Sequence, residues 1–586
     1  MMRKRRSLGF PLAACAIAAA ASCSGTAEPQ LPPLLEFSAA IVDLGTAREG
    51  AVDIRNVGEQ AIGPVELIVG AIQDASGSTV PGATLATDPP EIATLNPGDS
   101  RTLGLALSNQ GSLTPGRYDV VITAQAGLEN RAQMAVRFDV ESSDETAAAS
   151  LKIVAGGSAG RVGDVVAVPV EIRDANGELL QGLAVSWTLA PATAGFVGAT
   201  GQFVAYEPGP VTLTARVGSA SDSVILTAVE RGGEGSFEVV GRAREDTRYT
   251  SDLWLHGQVA YSGTWGTRQI GSTFNTGNTL NVWNVTDPSA ATMSSSLSID
   301  ARTLNDVKVR ADGKIAVVTH EGSGDALNGI TILDLDDPLH PVVISRYTDG
   351  LASGVHNVWI EGNYVYLVVD GVGNGLRILD VSDPAQPVLV ASFWAGSSFL
   401  HDVYVRDGLA FLSHWNAGMV ILDVGHGIAG GSPVNPVEVS RIPDLQGQTH
   451  NAWYWPEAGY VFVGEEDFST PGIMQVVDVR NLREPRVAAT YSVPGQPPHN
   501  FWLDESTSTL YLAWYAHGLR ALDVAGDLMG ALERQSREIA VAPYNGGVGT
   551  CSRPSAFTCT WAPQLHQGLV WVSDMNEGLI ALQLSR

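Results

Sequence analysis

A short pattern that recurs through the second half of the chain is the feature that most constrains its fold. The segments TSDLWL, LNDVKV, VHNVWI, LHDVYV, THNAWY and PHNFWL begin at residues 250, 304, 355, 400, 449 and 498. Their shared acidic or amide residue returns every 45 to 54 positions, and each copy leads into a turn and further strand-like segments. Four antiparallel strands at this period are typical of the blade of a β-propeller.

The two ends of the repeat array predict how the ring closes. The last unit, residues 560–584, contains three strand-like segments and lacks a fourth. SFEVVGRA (236–243) lies ahead of the first repeat and looks like the fourth-strand segment PVEVSRI (436–442). Pairing of these two ends would complete a seventh blade and remove exposed sheet edges. We therefore predict a seven-bladed propeller over 236–586, with a short helix in the insertion GDLMGALERQSRE (526–538).

Two segments of this array carry a family resemblance. ITILDLDDPLHPVVISRY (330–347) and LRILDVSDPAQPVLVASF (376–393) resemble the repeats of LVIVD-repeat proteins, which are bacterial and archaeal propellers. The resemblance extends over 236–586, and it implies an extracytoplasmic protein without assigning a reaction. The Asp-Pro pairs of these segments are expected to be scaffold, because Asp accepts backbone N–H bonds in turns while Pro fixes φ.

The first half of the chain predicts two β-sandwiches. Short alternating segments separated by Pro-Gly and Asn-Gly turns fill 34–142 and 151–230, and the second of these resembles bacterial Ig-like domains. A polar linker lies at 141–150, and RGGEG (231–235) is predicted to be a hinge. The 64 Gly, 31 Pro and only 17% charged residues suit many short strands joined by tight turns. The predicted fold class is therefore all-β.

The N-terminus has the pattern of an export signal. A basic segment is followed by an apolar run and small residues, which predicts a signal peptide at 1–22. The sequence ending at Cys23 resembles a bacterial lipoprotein cleavage site, which implies lipidation of Cys23, a tether at 23–33 and attachment to an outer membrane or cell surface. Simple secretion or a periplasmic location is the alternative. The formal net charge of −27 excludes nucleic acid as a partner, because phosphates would be repelled.

Two further cysteines lie close together near the C-terminus. Cys551 and Cys559 share one Gly/Pro/Ser-rich loop in a chain that is expected to be exported, which favours a local disulfide over free thiols.

Histidines recur at the start of the innermost strand in four consecutive repeats. Ring geometry would bring His356, His401, His450 and His499 together at one mouth of the channel. A second series at the end of the following strand is expected on the same rim: His320, Asp370, His414, Glu465, Tyr515 and Asp574. Such a rim can hold Zn, Cu or another borderline divalent metal or exchange protons near neutral pH, or it can be a purely structural hydrogen-bonded ring.

Tryptophans near the same strand ends are expected to pack mostly between blades, with some available for stacking on sugars or peptides: Trp359, Trp453, Trp455, Trp502, Trp514 and Trp561. No nucleophile elbow, phosphate loop or HExxH motif is present. We therefore expect a surface protein with a binding role, whose propeller takes a protein or carbohydrate ligand. A metal-dependent oxidoreductase or hydrolase and a purely structural protein are the alternatives.

Overall fold

The computed structural model of the protein describes residues 35–39, 41–45, 47–58, 60–74, 78–109, 113, 116–126, 130–140, 147–371, 373–396, 398–442, 448–468, 472–543 and 558–586. The predicted signal peptide, Cys23 and the tether lie outside these residues. Strands account for nearly all the regular structure of the described part, so the all-β fold class is confirmed. Within the same part, no helix is long and apolar enough to cross a membrane.

The first domain is a sandwich of two sheets around one apolar core. One sheet contains, in spatial order, Leu35–Phe37, Glu49–Asn56, Ser100–Ser108 and Thr84–Asp88. The facing sheet contains Ile41–Asp43, Asn130–Val140, Gly116–Ala126, Val65–Val69 and Glu91–Ile92, with Gln73–Asp74 beside Gly116–Ala126. Alternate residues of these strands, such as Val52 and Ile54, point inward and are buried, which is the period of two expected for a half-buried strand.

The second domain is also a sandwich, built from shorter strands. Its main sheet contains Ser158–Arg161, Ala220–Val229, Gly209–Val217 and Ser186–Ala190. Two three-stranded sheets complete it, and they contain Ser150–Ile153, Val170–Arg173 and Leu179–Leu180 in one, and Val165–Ala167, Gln202–Ala205 and Gly195–Val197 in the other. Trp187, Phe203 and Leu213 are at the centre of its core.

Seven antiparallel blades follow within the described residues, and we call their strands a to d from the inside outward. Blade 1 contains Tyr249–His256, Val259–Trp265, Thr279–Asn284 and Thr292–Ser298, blade 2 contains Val307–Val309, Ile315–His320, Gly329–Asp334 and Val342–Tyr347, and blade 3 contains Val355–Glu361, Tyr364–Val369, Gly375–Asp380 and Val388–Phe393. Blade 4 contains Asp402–Arg406, Leu409–His414, Gly418–Asp423 and Val437–Ile442, and blade 5 contains Thr449–Trp455, Tyr460–Glu465, Ile473–Asp478 and Arg486–Ser492. Blade 6 contains Phe501–Asp504, Thr509–Ala513, Leu519–Asp523 and Glu538–Ala542, and blade 7 contains Thr560–His566, Leu569–Asp574, Gly578–Ser585 and Ser236–Arg244. Blade 1 also carries a hairpin of Thr267–Ile270 and Thr273–Thr276.

The ring closes by pairing its two ends. Strand d of blade 7 is the segment Ser236–Arg244, which pairs antiparallel with Gly578–Ser585, the last strand of the chain. Gln564 of blade 7 then binds both backbone groups of Leu255 in blade 1, at 2.7 and 3.1 Å. Strands b and c are buried on both faces because neighbouring blades cover them, as in Leu409–His414, and they are therefore nearly continuous apolar runs.

The repeated aspartates are scaffold, as the sequence predicts. At the end of strand c, Asp334 and Asp380 accept the backbone N–H two residues further on, at 2.7 and 2.8 Å. Asp337 and Asp383 of the Asp-Pro pairs do the same in the next turn, at 3.1 and 3.0 Å. These bonds occupy the turn N–H groups that strand pairing leaves without partners.

Two segments next to the second sandwich make specific contacts with it. Within the insertion 526–538, the predicted short helix is a three-residue 3₁₀ helix, Leu532–Arg534, which follows a two-residue strand, Gly530–Ala531. Its chain packs against the second sandwich, where Tyr206 Oη accepts the Ala531 N–H at 2.9 Å and lies 2.5 Å from where a Cβ of residue 530 would be, which favours glycine there.

The segment 231–235, whose role as a hinge stays a prediction, begins at a buried arginine that contacts both neighbouring domains. The Arg231 side chain is 1% exposed and bridges Asp523 of blade 6, at 2.7 Å, to Asp164 of the second sandwich, at 3.1 Å. Its Nη1 also donates to the Val162 carbonyl at 3.1 Å. The second sandwich is thus held against blade 6 by a buried charged network.

The predicted disulfide stays a prediction. Cys551 lies outside the described residues, and Cys559 is fully buried at the start of blade 7.

Candidate functional site

Residues in or just before the a strands form three layers around the channel, and not every blade contributes to every layer. The histidine layer contains Asn305, His356, His401, His450, His499 and Trp561. The acid–amide layer contains Asp252, Asp306, Asn357, Asp402, Asn451 and Asn500. The aromatic layer contains Trp254, Lys308, Trp359, Tyr404, Trp453, Trp502 and Gln564. The first two layers are consecutive in sequence, and shifts of register at this point in blades 1, 3, 5 and 7 let both face inward.

The four histidines of the histidine layer form a continuous arc. Ring centroids are 4.5 Å apart for His356 and His401, and 4.3 Å apart for His401 and His450 as well as for His450 and His499. Trp561 continues the arc, 4.1 Å from His499. The structure therefore brings together all four residues of the first histidine series, at positions that are 45 to 49 residues apart in the sequence.

Backbone carbonyls determine the tautomers of two of these rings. His401 Nδ1 lies 3.2 Å from the His450 carbonyl, and His499 Nδ1 lies 2.6 Å from the Trp561 carbonyl. Because a carbonyl can only accept, each ring carries a proton on Nδ1. Burial, which disfavours the charged form, and the neighbouring imidazoles lower the pKa of His401 well below its usual range. Burial likewise lowers the pKa of His499 to about 3. Both rings are thus neutral at pH 7, with a free lone pair on Nε2.

Glu466 supplies a carboxylate to the same cluster. It is 2% exposed, and its Oε2 lies 3.6 Å from His450 Nε2. Tyr515 Oη donates to the other oxygen, Oε1. Burial raises the pKa of Glu466 to about 7, an effect that the Tyr515 bond and the charge of His356 partly oppose. Among the described residues, neither Glu466 Oε2 nor His450 Nδ1 has a hydrogen-bond partner.

A second cluster adjoins the first on blades 2 and 3. His356 Nδ1 lies 2.9 Å from Glu321 Oε1, and donor atoms of Glu321, His356 and Asp370 all lie within 4.8 Å of one another. Burial lowers the pKa of His356, but the hydrogen bond and charge of Glu321 and the charge of Asp370 outweigh it and raise that pKa to about 9. Burial and the charge of Glu321 raise the pKa of Asp370 to about 7. This cluster therefore holds a proton on His356 at neutral pH.

The lower layers close the channel. The rings of the aromatic layer contact each other in sequence, for example Trp359 and Tyr404 at 4.6 Å and Trp453 and Trp502 at 4.8 Å. Lys308 Nζ lies 5.2 Å from the Trp254 ring centroid, 3.1 Å from Asp252 Oδ2, and in contact with Asp306. The cavity between the acid–amide and aromatic layers measures about 50 Å³. The histidine layer thus lies at one end of a channel whose remaining length is filled by side chains.

Only two of the six residues in the second predicted series point toward the arc, because the direction of a side chain depends on its position along the strand. Asp370 and Tyr515 point toward the arc, as expected. Four other members do not: His320, His414, Glu465 and Asp574. In a strand successive side chains face opposite sides, so the next residue points to the channel: Glu321 beside His356, Trp415 beside His401, and Glu466 beside His450.

The four residues that face away have other contacts. Glu465 accepts from Thr449 Oγ1 and Gln475 Nε2, and Asp574 accepts the N–H groups of Cys559 and Asn576. His414 lies near Arg441 and Glu438. His320 lies near Arg346 and Asp325, and neither of its ring nitrogens has a partner among the described residues. The prediction that these four residues line the rim therefore placed the inward-facing position one residue too early in the strand.

The tryptophans are divided between the channel and the blade interfaces. Trp359, Trp453 and Trp502 line the channel in the aromatic layer, whereas Trp455 and Trp514 are buried between blades 5 and 6. Trp561 lies in the histidine layer itself.

Comparison with protein families gives one match. Residues 353–394 match the LVIVD repeat. The matched segment covers all four strands of blade 3, from Val355–Glu361 to Val388–Phe393, so the matched unit coincides with one blade of the ring. This match supports a protein of the repeat, propeller type. No curated protein matches the sequence.

Proposed function

We propose that this protein is an exported, lipid-anchored binding protein whose propeller holds a divalent transition-metal ion at His401, His450 and Glu466. The sandwiches would act as an Ig-like stalk between the lipid at Cys23 and the propeller. The signal-like N-terminus supports export, and the buried junction at Arg231 supports a stalk that moves together with blade 6.

The observation that carries the metal site is that Glu466 Oε2 is buried and accepts no hydrogen bond from the residues that the structure describes. A carboxylate that is 2% exposed costs several kcal/mol unless a cation or hydrogen bonds compensate it. Donor atoms of His401, His450 and Glu466 lie within 4.8 Å of one another. Two ligands of a tetrahedral zinc ion lie about 3.4 Å apart. The 3.6 Å between His450 Nε2 and Glu466 Oε2 fits that distance.

The surroundings of these ligands support the same assignment. Metal-binding imidazoles usually donate their second N–H to a carbonyl or carboxylate, which fixes the ring and leaves the other nitrogen for the ion. His401 has this arrangement with the His450 carbonyl. Tyr515 orients Glu466 in a comparable way. Two imidazoles and one carboxylate suit Zn²⁺, Fe²⁺ or Co²⁺.

Metal titration of the full chain tests this proposal. Protein stripped with a chelator should bind Zn²⁺ or Co²⁺. The variants His401→Ala, His450→Ala and Glu466→Gln should each bind the ion with an affinity at least a hundredfold lower. Glu465→Gln and His414→Ala are matched controls, since both are buried neighbours that face away from the arc. Equal affinity of Glu466→Gln and the unmodified protein would refute the site.

A metal-dependent enzyme is the second candidate function. The number of protein ligands favours it, because catalytic zinc sites typically have three protein ligands and keep one position for water or substrate. Screening the Zn²⁺- and Co²⁺-loaded chain against nitrophenyl esters, with His450→Ala as the control, tests this alternative. Turnover that is equal in both proteins would rule it out for this reaction class.

A further inference from the structure

The Glu321–His356–Asp370 cluster is more exposed than the proposed metal site and lies directly beside it. Side chains of His356 and Glu321 are 19% and 15% exposed, whereas those of His450 and Glu466 are 3% and 2% exposed. The His356 and His401 rings are in contact at 4.5 Å. An ion that approaches from this side therefore meets the outer cluster before the buried one.

The backbone near this cluster is shaped so that two carboxylates approach each other. Gly354 has φ +109°, a conformation that L side chains rarely adopt. A Cβ at this position would lie 2.6 Å from Asp370 Oδ2 and 3.1 Å from Glu321 Cγ. Two carboxylates held this close repel each other unless a proton or a cation lies between them.

A buried amide lies beside the same imidazole, with Asn305 Nδ2 3.4 Å from His356 Nε2. Asn305 is 5% exposed, and its Nδ2 donates to the His356 carbonyl at 2.9 Å. Its Oδ1 has no hydrogen-bond partner among the described residues. An imidazole and two carboxylates make up a mixed nitrogen and oxygen donor set of the kind that divalent ions bind.

We propose that Glu321, His356 and Asp370 form a second divalent-cation site through which the buried site is loaded. This inference rests on the proposed function, because it needs the buried site as the destination. A cation bound here replaces the proton that lies between His356 and Glu321. Acidic side chains at the mouth also attract cations from solution and raise their association rate.

Cobalt binding to the full chain tests the proposal. Equilibrium dialysis should give two Co²⁺ per chain for the unmodified protein and one for Asp370→Asn. In stopped-flow absorbance, Asp370→Asn should load its remaining ion at least tenfold more slowly. Asp349→Asn is the control, because it removes the same charge from an exposed position five residues before Gly354. It should behave like the unmodified protein.

The outcomes separate this inference from the proposed function. Two Co²⁺ in Asp370→Asn, or loading at the unmodified rate, would overturn the second site. The unmodified chain could also bind only one Co²⁺, which Glu466→Gln loses and Asp370→Asn keeps. This result would overturn the second site, and the proposed function would stand. One Co²⁺ that is lost in Asp370→Asn but kept in Glu466→Gln would overturn the buried site and, with it, the loading route.

Discussion

Replacing Glu466 by Gln should make the metal-free protein more stable. Burial raises the pKa of this carboxyl from 4.5 to about 7. Each pKa unit corresponds to about 1.4 kcal/mol of difference between the two protonation states, so the ionised carboxylate costs about 3 kcal/mol. Gln has nearly the same shape, carries no charge, and keeps an oxygen that can accept from Tyr515.

The direction of the Glu466 pKa shift determines the pH range in which the native protein is destabilised. Because the folded-state pKa lies above the unfolded value, the native protein loses stability as pH rises from 4.5 through 7. The Gln variant has no such loss. We therefore expect the two proteins to melt together near pH 4.5 and the variant to melt about 4 °C higher at pH 8.

Thermal melting of the full chain in a chelator, at pH 4.5 and pH 8, provides the measurement. Glu465→Gln is the control, because this neighbouring glutamate accepts from Thr449 and Gln475 and should only lose stability when its charge is removed. If Glu466→Gln melts below the unmodified protein at pH 8, the carboxylate is compensated within the protein. Glu466 would then need no cation to compensate its charge.

Three further predictions concern the scaffold. His414, 1% exposed, has its pKa lowered to about 4 by burial and by Arg441, so its contribution to stability is lost as pH falls from 6.5 toward 4. In urea titrations, His414→Leu should reduce the loss of unfolding free energy between pH 7.5 and pH 5 by about 2 kcal/mol. An unchanged loss would contradict the lowering of the His414 pKa by burial. His340→Leu, at an exposed histidine, is the control. Arg231→Ala should cost about 2–4 kcal/mol, because Asp523 and Asp164 lose a buried partner, whereas exposed Arg161→Ala should cost less than about 1 kcal/mol. Equal melting of these two variants would argue against a fixed junction. Gln564→Ala should cost about 2–4 kcal/mol in thermal unfolding because both backbone groups of Leu255 lose their partner, and exposed Gln583→Ala should be nearly neutral. A neutral Gln564→Ala would mean that the ring closes without this bond.

The candidate site was predictable in part. The spacing of the histidines was sufficient to place His356, His401, His450 and His499 on one rim, because equivalent positions of a cyclic repeat meet at the channel. The carboxylates were harder to assign. Glu465 and Glu466 are adjacent in the sequence, and only the contacts of the folded chain, such as the 3.6 Å between Glu466 Oε2 and His450 Nε2, show that Glu466 is directed toward the arc.

The local sequence did not reveal the contacts that distant segments make with each other. The insertion at 526–538 has helix-forming residues, yet the second sandwich packs against it and Tyr206 binds the backbone at Ala531. RGGEG looks like a hinge because of its glycines, but the arginine at its start is buried between Asp164 and Asp523. Both outcomes depend on residues far away in the chain.

Period, alternation and turn chemistry were enough to predict the all-β class, the repeated blades and the segment that closes the ring. Which side chains share the mouth of the channel depends on the folded chain, because one residue of register, or one bulge in an inner strand, reverses the direction of a side chain. A pattern that fixes the strands therefore leaves open whether Glu465 or Glu466 joins His401 and His450.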